Sequence, residues 1–221
     1  MRKRVGKELA KCELCAKNKI ARHSPYGKME PIISNEGPWE TVTMDFIVKL
    51  PESKDMVTRE PFDSILVITD KLTKYGYFIP YKEATNAEQM AYTFMRNVVA
   101  NHGMPKRVIT DRDKLFKSKF WKSLMNQLGV KQKMTTAYHP QANGQTERLN
   151  QTLEQYLRNY VGYLQDDWVT LLPTAQFAYN SAITEPTGYS PFYANYGFNP
   201  TAYNEERKDE IRNATAQERA K

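Results

Sequence analysis

Residues 136–160 read TAYHPQANGQTERLNQTLEQYLRNY. A polar stretch holding Pro140 and Gly144 gives way to an amphipathic helix. Leu149, Leu153, Tyr156, Leu157, Tyr160 and Leu164 recur at helical intervals and form the expected buried stripe. Glu147 falls on another side, among Asn143, Asn150, Gln151 and Glu154. An acid there has an ordinary explanation, since a Glu early in a helix complements the macrodipole by about 0.3–1 kcal/mol. A chemical role requires other acids to converge on it.

Two upstream acids meet that requirement. TVTMDFIVKL (41–50) alternates, with Val42, Met44, Phe46 and Val48 on one face and Asp45 beside Ile47 on the other. The segment is apolar almost throughout, so both faces are expected to be covered. A lone carboxylate on a covered sheet costs several kcal/mol unless its charge is compensated, and a metal ion is one compensation. RVITD (107–111) is a short strand closed by Asp111, where the chain leaves the sheet and opens a crevice. Helix capping is the competing role, and Asp113 fits it better than Asp111 does. Asp113 stays as the runner-up.

The surrounding segments define the fold. SILVITD (64–70) and YGYFIPY (75–81) follow the first strand as two more antiparallel strands. TNAEQMAYTFMRNVVANHG (85–103) reads as a helix with a Thr85–Glu88 capping box and a stop at Gly103. SKFWKSLMNQLG (118–129) is a second helix and VKQKMTT (130–136) a fifth strand. DWVTLLPTAQFAYNSAI (167–183) is helical with an interruption at Pro173, and GYSPFYANYG (188–197) is a packed turn with a short helix. The expected class is α/β, a five-stranded mixed sheet flanked by helices. Residues 1–38 are basic and rich in Pro and Gly, an appendage with a linker; 39–200 form the folded part; 201–221 are a charged extension.

Composition narrows the chemistry. The 221 residues are 40% hydrophobic, enough for a real core, and no apolar run approaches the roughly 18 residues of a membrane span. The start MRKRVGKELAKCELC lacks the apolar stretch of a signal peptide. Two Cys three residues apart make a disulfide framework improbable and favour a reducing compartment. The formal net charge is +7 and is concentrated. Residues 106–133 carry nine Lys or Arg against two acids, and residues 1–30 carry nine against three, which points to a polyanionic partner. None of the three His is paired with an obvious Ser or Cys nucleophile. Carboxylates holding hard divalent cations remain. Two such ions about 3.5–4 Å apart activate an attacking oxygen and stabilise a leaving one.

Asp111 and Glu147 are separated by 35 residues. That spacing, with TDRD before it and HPQANGQTER around Glu147, resembles the catalytic core of integrases of gypsy-type long-terminal-repeat retrotransposons, within the retroviral integrase superfamily. PWETVTMDFIVKLP, VITDKLTKYGYFIPYKEATNAEQ, FWKSLMNQLG and YNSAITEPTGYSPFYANYG carry the likeness across about residues 11–200. The resemblance implies an RNase H-like fold and a catalytic, metal-binding triad of Asp45, Asp111 and Glu147 for two Mg²⁺ or Mn²⁺ ions. It implies 3′-end processing of element DNA, then strand transfer into target DNA, without a covalent enzyme intermediate. It also implies a homodimer or higher multimer working in the nucleus. His139, Gln141, Asn143 and Gly144 correspond to a mobile loop beside the site. Gln145, Arg148 and Asn150, with Lys71, Lys74, Lys131 and Lys133, are the implied DNA contacts. Ala142–Asn143 departs from the common form of that loop.

Cys12 and Cys15 match the second half of the family's zinc site, whose His pair lies upstream. None of the eleven preceding residues is His, so a four-ligand zinc site is not expected and residues 1–38 read as the remnant of that domain. Residues 201–221 contain no chromodomain, so any chromatin tether is expected to lie beyond residue 221 or to be absent. The alternatives are an RNase H-like nuclease or transposase, and a captured module that binds DNA or protein without turnover.

Overall fold

The computed structural model describes Cys12, Glu13, residues 36–134 and residues 140–201, with the side chains of 140–147 outside that set. The chain starts on β1 (Thr41–Ile47), makes a small hairpin of β2 (Ser53–Lys54) and β3 (Pro61–Phe62), and returns on β4 (Ser64–Asp70) and β5 (Gly76–Tyr81). α1 (Ala87–Phe94) runs through a π-helical turn (Met95–Val99) into α2 (Ala100–His102). β6 (Arg107–Thr110), α3 (Lys114–Lys117), α4 (Lys119–Gln127) and β7 (Lys131–Met134) follow. The long α5 (Pro140–Tyr160), α6 (Trp168–Ser181) and α7 (Pro191–Tyr196) complete it.

The sheet has five strands in the order β5-β4-β1-β6-β7. β1, β4 and β5 pair antiparallel, whereas β6 lies parallel to β1 and β7 parallel to β6. The expected mixed sheet is therefore present. Alternation along β1 divides its residues between two cores, because successive side chains point to opposite faces. Val42 and Met44 join Leu66, Ile68, Met90, Phe94, Phe116 and Trp121 on one face. Ile47 joins Ile65, Val67, Phe78, Leu149, Leu153 and Trp168 on the other. Every residue of β4 is buried, as a central strand covered on both faces must be.

Helix ends follow side-chain chemistry. The cap of α1 is Asn86, which accepts from Gln89 N, not the Thr85 expected from the capping-box spacing. Ser118 caps α4, and Gly129 beyond its end takes φ +68°, the left-handed region that glycine enters without penalty. Pro173 lies inside α6 and does not interrupt it. It removes one backbone bond near the helix start, while buried Trp168, Val169, Leu172 and Ala175 hold both sides of it against the core.

The outer edge of β5 is closed by two amides of α6. Gln176 Oε1 accepts from Phe78 N at 2.8 Å. Asn180 accepts from Gly76 N and donates to Gly76 O, both at 2.9 Å. The approach is so close that a Cβ at Gly76 would meet Tyr179 Cε1 at 3.1 Å and Leu149 Cδ1 at 3.3 Å. Asn180 is fully buried. Asn180→Ala leaves the Gly76 N–H and C=O without these partners at about 1–3 kcal/mol each, so urea unfolding should show a loss of about 2–4 kcal/mol.

Candidate active site

Parallel pairing of β1 with β6 matches Met44 with Thr110. One step further along both strands stand Asp45 and Asp111, on chains about 4.8 Å apart. Asp45 shares the face of Ile47 and Val67, opposite Met44, as the alternation requires. Across β7, Thr110 pairs with Met134, and Gln132, two residues earlier on the same side of that strand, reaches Thr110 Oγ1 and Phe116 O with its amide on the first face. Asp111, next in the chain, therefore falls on the face of Asp45.

The environments of the strand-terminal acids differ sharply. Asp70, at the other end of the sheet, is fully buried but accepts from Trp39 N at 3.0 Å, Thr73 N at 2.8 Å and Thr73 Oγ1 at 2.7 Å. That carboxylate is satisfied by the protein and serves structure. Asp111 accepts from Asp113 N at 3.0 Å, its one hydrogen bond among the described residues. Burial raises its pKa above the usual carboxylate value, the Asp113 charge adds to the rise, and Lys117 offsets part of it. Asp113 caps α3 by accepting from Leu115 N at 2.8 Å, the ordinary role weighed against Asp111.

α5 is fastened over this face by Leu149, Leu153 and Leu157, all buried in the second core. The expected stripe is shorter than the periodicity indicated. Tyr156 is half-buried, Tyr160 and Leu164 are exposed, and the helix ends at Tyr160 before Leu164 is reached. Beside Leu149, Asn150 donates Nδ2 to Asp45 Oδ2 at 2.8 Å, while Phe46 N donates to the other oxygen of Asp45 at 3.0 Å. Asn150 Oδ1 is buried and has no hydrogen-bond partner among the described residues. Position 147 is three residues earlier, one turn along the helix and a rise of about 4.5 Å. The elements bearing Asp45, Asp111 and Glu147 thus meet at one place. No three described His, Cys, Asp or Glu side chains form a metal-binding group, and the side chain of Glu147 lies outside the described set.

Several expected contacts fall elsewhere. Lys71 and Lys74 occupy the β4–β5 turn, and antiparallel pairing of Asp70 with Val42 sets that turn at the end of the sheet opposite Asp45 and Asp111. Lys74 is half-buried, donates to Lys71 O, and burial lowers its pKa to about 8. These two lysines do not line the carboxylate site. Asn150, expected at DNA, is spent on Asp45. Gln141, Asn143, Gly144 and Gln145 are in α5 and not in a loop, because Pro140 opens the helix at its first position, where its missing N–H costs nothing. His139 and Cys15 lie outside the described residues, and Cys12 is half-buried. Lys131 and Lys133 are exposed on β7, on the face opposite Gln132 and therefore with Asp111. Arg107, paired with Lys131, shares that face but lies at the start of β6 beside Thr41 and is ion-paired with Glu36. Arg148 is exposed.

A five-stranded β5-β4-β1-β6-β7 sheet with acids at the ends of its adjacent first and fourth long strands is the RNase H-like arrangement, and comparison with solved structures agrees. The HTLV-2 integrase catalytic core domain in complex with magnesium matches 72% of this chain and 97% of its own, at 15% identity and TM-score 0.52. The simian T-cell lymphotropic virus intasome in complex with PP2A regulatory subunit B56 gamma matches 94% of this chain and 71% of its own, at 17% identity and TM-score 0.56. No family model matches. The chain is homologous to the Tf2 retrotransposon polyproteins and has the fold of retroviral integrase catalytic cores. Transposon Tf2-3 and Tf2-4 polyproteins of Schizosaccharomyces pombe are each 36% identical over 200 residues, 90% of this chain. The chain spans 15% of the length of those relatives. Among the described residues no helix is long and apolar enough to cross a membrane.

The raised pKa of Asp111 means that its ionised form weakens the metal-free fold. That penalty is present above the folded pKa and absent below the ordinary carboxylate range. Asp111→Asn should therefore melt higher than wild type at pH 7 without divalent metal. The difference should close as pH is lowered into the ordinary carboxylate range in a thermal-melt series.

Proposed function

We propose that the chain is the catalytic core of a gypsy-type retrotransposon integrase, joining element DNA to target DNA in the nucleus as a homodimer or higher multimer. The observation that carries this reading is the Asn150–Asp45 hydrogen bond that ties α5 to β1, beside the strand β6 that pairs with β1 and leads to Asp111. Asp45 and Asp111 stand side by side at strand ends, with position 147 one turn from the contact.

The residues present fit Mg²⁺ or Mn²⁺. Among the described residues Asp111, half-buried, has one protein donor, and the buried Asn150 Oδ1 has no hydrogen-bond partner. Hard cations take such oxygens and keep positions for phosphate. Bound there, the metal supplies charge stabilisation for an in-line displacement at phosphorus and an activated attacking oxygen. Asp45, Asp111 and Glu147 are the proposed ligands and catalytic groups. Asn150 holds the Asp45 carboxylate in one orientation, a bond that second-sphere partners of metal ligands commonly make. Lys133 and Arg148 offer phosphate contacts around the site. His102 takes no part, because it is stacked on Trp39 at 3.6 Å and bonded to Tyr77 Oη at 2.8 Å. Its chain neighbours place it with the opposite end of the sheet. Support for the substrate class comes from the Tf2 homology and from the basic segment at 106–133.

The test is a joining assay with Mn²⁺, recessed-end duplexes and target plasmid. Joined products are expected from wild type. Asp45→Asn, Asp111→Asn and Glu147→Gln should each lose at least about a hundredfold, the loss that several kcal/mol of charge stabilisation implies. Nicking without joining would identify a nuclease, and a gel shift without products a binding module. Asn150→Ala should require about 10–100-fold more divalent metal for thermal stabilisation while DNA affinity measured by anisotropy stays within about twofold.

A further inference from the structure

The face of α5 that meets the carboxylates continues beyond them. Positions 147, 150, 154 and 158 follow one line along the helix at three- and four-residue spacing, and Val161, just past its end, continues it by donating its N–H to Leu157 O at 2.8 Å. The far end of that line borders a cavity of about 340 Å³ between α5, the end of β1 and the chain leading into the β2–β3 hairpin. Ile47, Leu50, Leu157, Val161 and Trp168 line it, and Glu154 and Arg158 stand on its rim. Trp168 donates its indole N–H to Pro51 O at 2.7 Å, so the one polar hydrogen of that ring is already spent. The volume sits at the small end of ligand pockets, about 300–1,000 Å³. Glu154 and Arg158 face each other at 2.5 Å as an exposed pair four residues apart, a type of ion pair that is weak and opens readily.

We propose that this cavity receives one unpaired base of the DNA strand held at the carboxylates. The inference rests on the DNA-joining reading of the site. Three features support it. Ile47 is two residues beyond Asp45 on the same strand and the same face, so cavity and carboxylates share one groove. Glu154 is seven residues from position 147, a rise of about 10.5 Å, which is about three nucleotides of stacked strand at about 3.4 Å each. The chemistry is that of a base: an apolar floor for the ring faces, a carboxylate able to accept from an exocyclic amino group, and a guanidinium able to donate to a base edge or to the adjoining phosphate. An apolar side chain of a protein partner would use the floor but leave the paired charges of the rim without a role.

The test uses the full chain with short duplexes ending in an unpaired single-stranded tail. Each duplex carries 5-iododeoxyuridine at one successive tail position and is irradiated in Ca²⁺ so that no joining occurs. A crosslink mapping to residues 47–50 or 157–168, strongest at one tail position two to three nucleotides from the junction, is the expected result. Val161→Trp, which fills the cavity, should reduce that crosslink at least about fivefold while anisotropy of the duplex changes less than about twofold. Arg158→Ala, at an exposed position that leaves the core untouched, should weaken it in the same direction and guards against a folding defect in the first variant. Crosslinks confined to other segments, or undiminished in both variants, overturn the proposal and return the cavity to a protein side chain. Joining activity is scored in parallel on wild type. Joining without the mapped crosslink sinks the base site alone, whereas absence of both joining and DNA binding sinks the functional reading with it.

Discussion

Two acids forced side by side are the constraint on which the rest of the molecule depends. Parallel pairing of β1 and β6 carries Asp45 and Asp111 to adjoining positions on one face, each half-buried. Burial has already pushed the Asp111 carboxyl toward its neutral form. A fold keeps such a pair only if its surroundings over-determine the strand positions. Here they do, because β1 is gripped on both sides, by β4 and β6, and on both faces, by two separate hydrophobic cores. Asp70 shows the alternative outcome within the same sheet. Deeper burial is tolerated there because three protein donors surround the carboxylate. The contrast is between Asp70, with three protein donors, and Asp111, with one donor among the described residues.

α5 links stability to the site. Its leucines belong to the core, and the next residue after Leu149 is the amide that ties the helix to Asp45. Packing of apolar side chains thus sets the position of a polar contact, and through it the distance between helix and strand. α6 reinforces the same layer from the opposite edge. Asn180 and Gln176 occupy backbone groups of β5 that would otherwise be open to another strand. The sheet therefore ends in side-chain hydrogen bonds on one edge and in a short lysine-bearing strand, β7, on the other.

Where the chain's local pattern and its structure part company, the cause is mostly nonlocal, the α1 cap excepted. Thr85 and Glu88 have capping spacing, yet Asn86 takes the cap because the helix starts one residue later and its amide is the stronger acceptor in place. Tyr160 and Leu164 continue an apolar rhythm that stops mattering once α5 has passed the edge of the sheet. Pro173 breaks isolated helices, but buried neighbours on both sides carry α6 through it. Lys71 and Lys74 are close in sequence to a strand that touches β1, and only the antiparallel direction of that strand carries them away from the acids.

Periodicity and breakers were enough to determine the five strands of the mixed sheet, the main helices and the face on which Asp45 lies. These are properties of residues within a few positions of one another, and side-chain alternation transmits them directly. Which charges share an end of the sheet, that Asn150 serves a carboxylate, and that a cavity extends the same helix face were decided only in three dimensions. Strand order and direction arise from pairings between segments tens of residues apart, and no local pattern encodes where such segments come to rest.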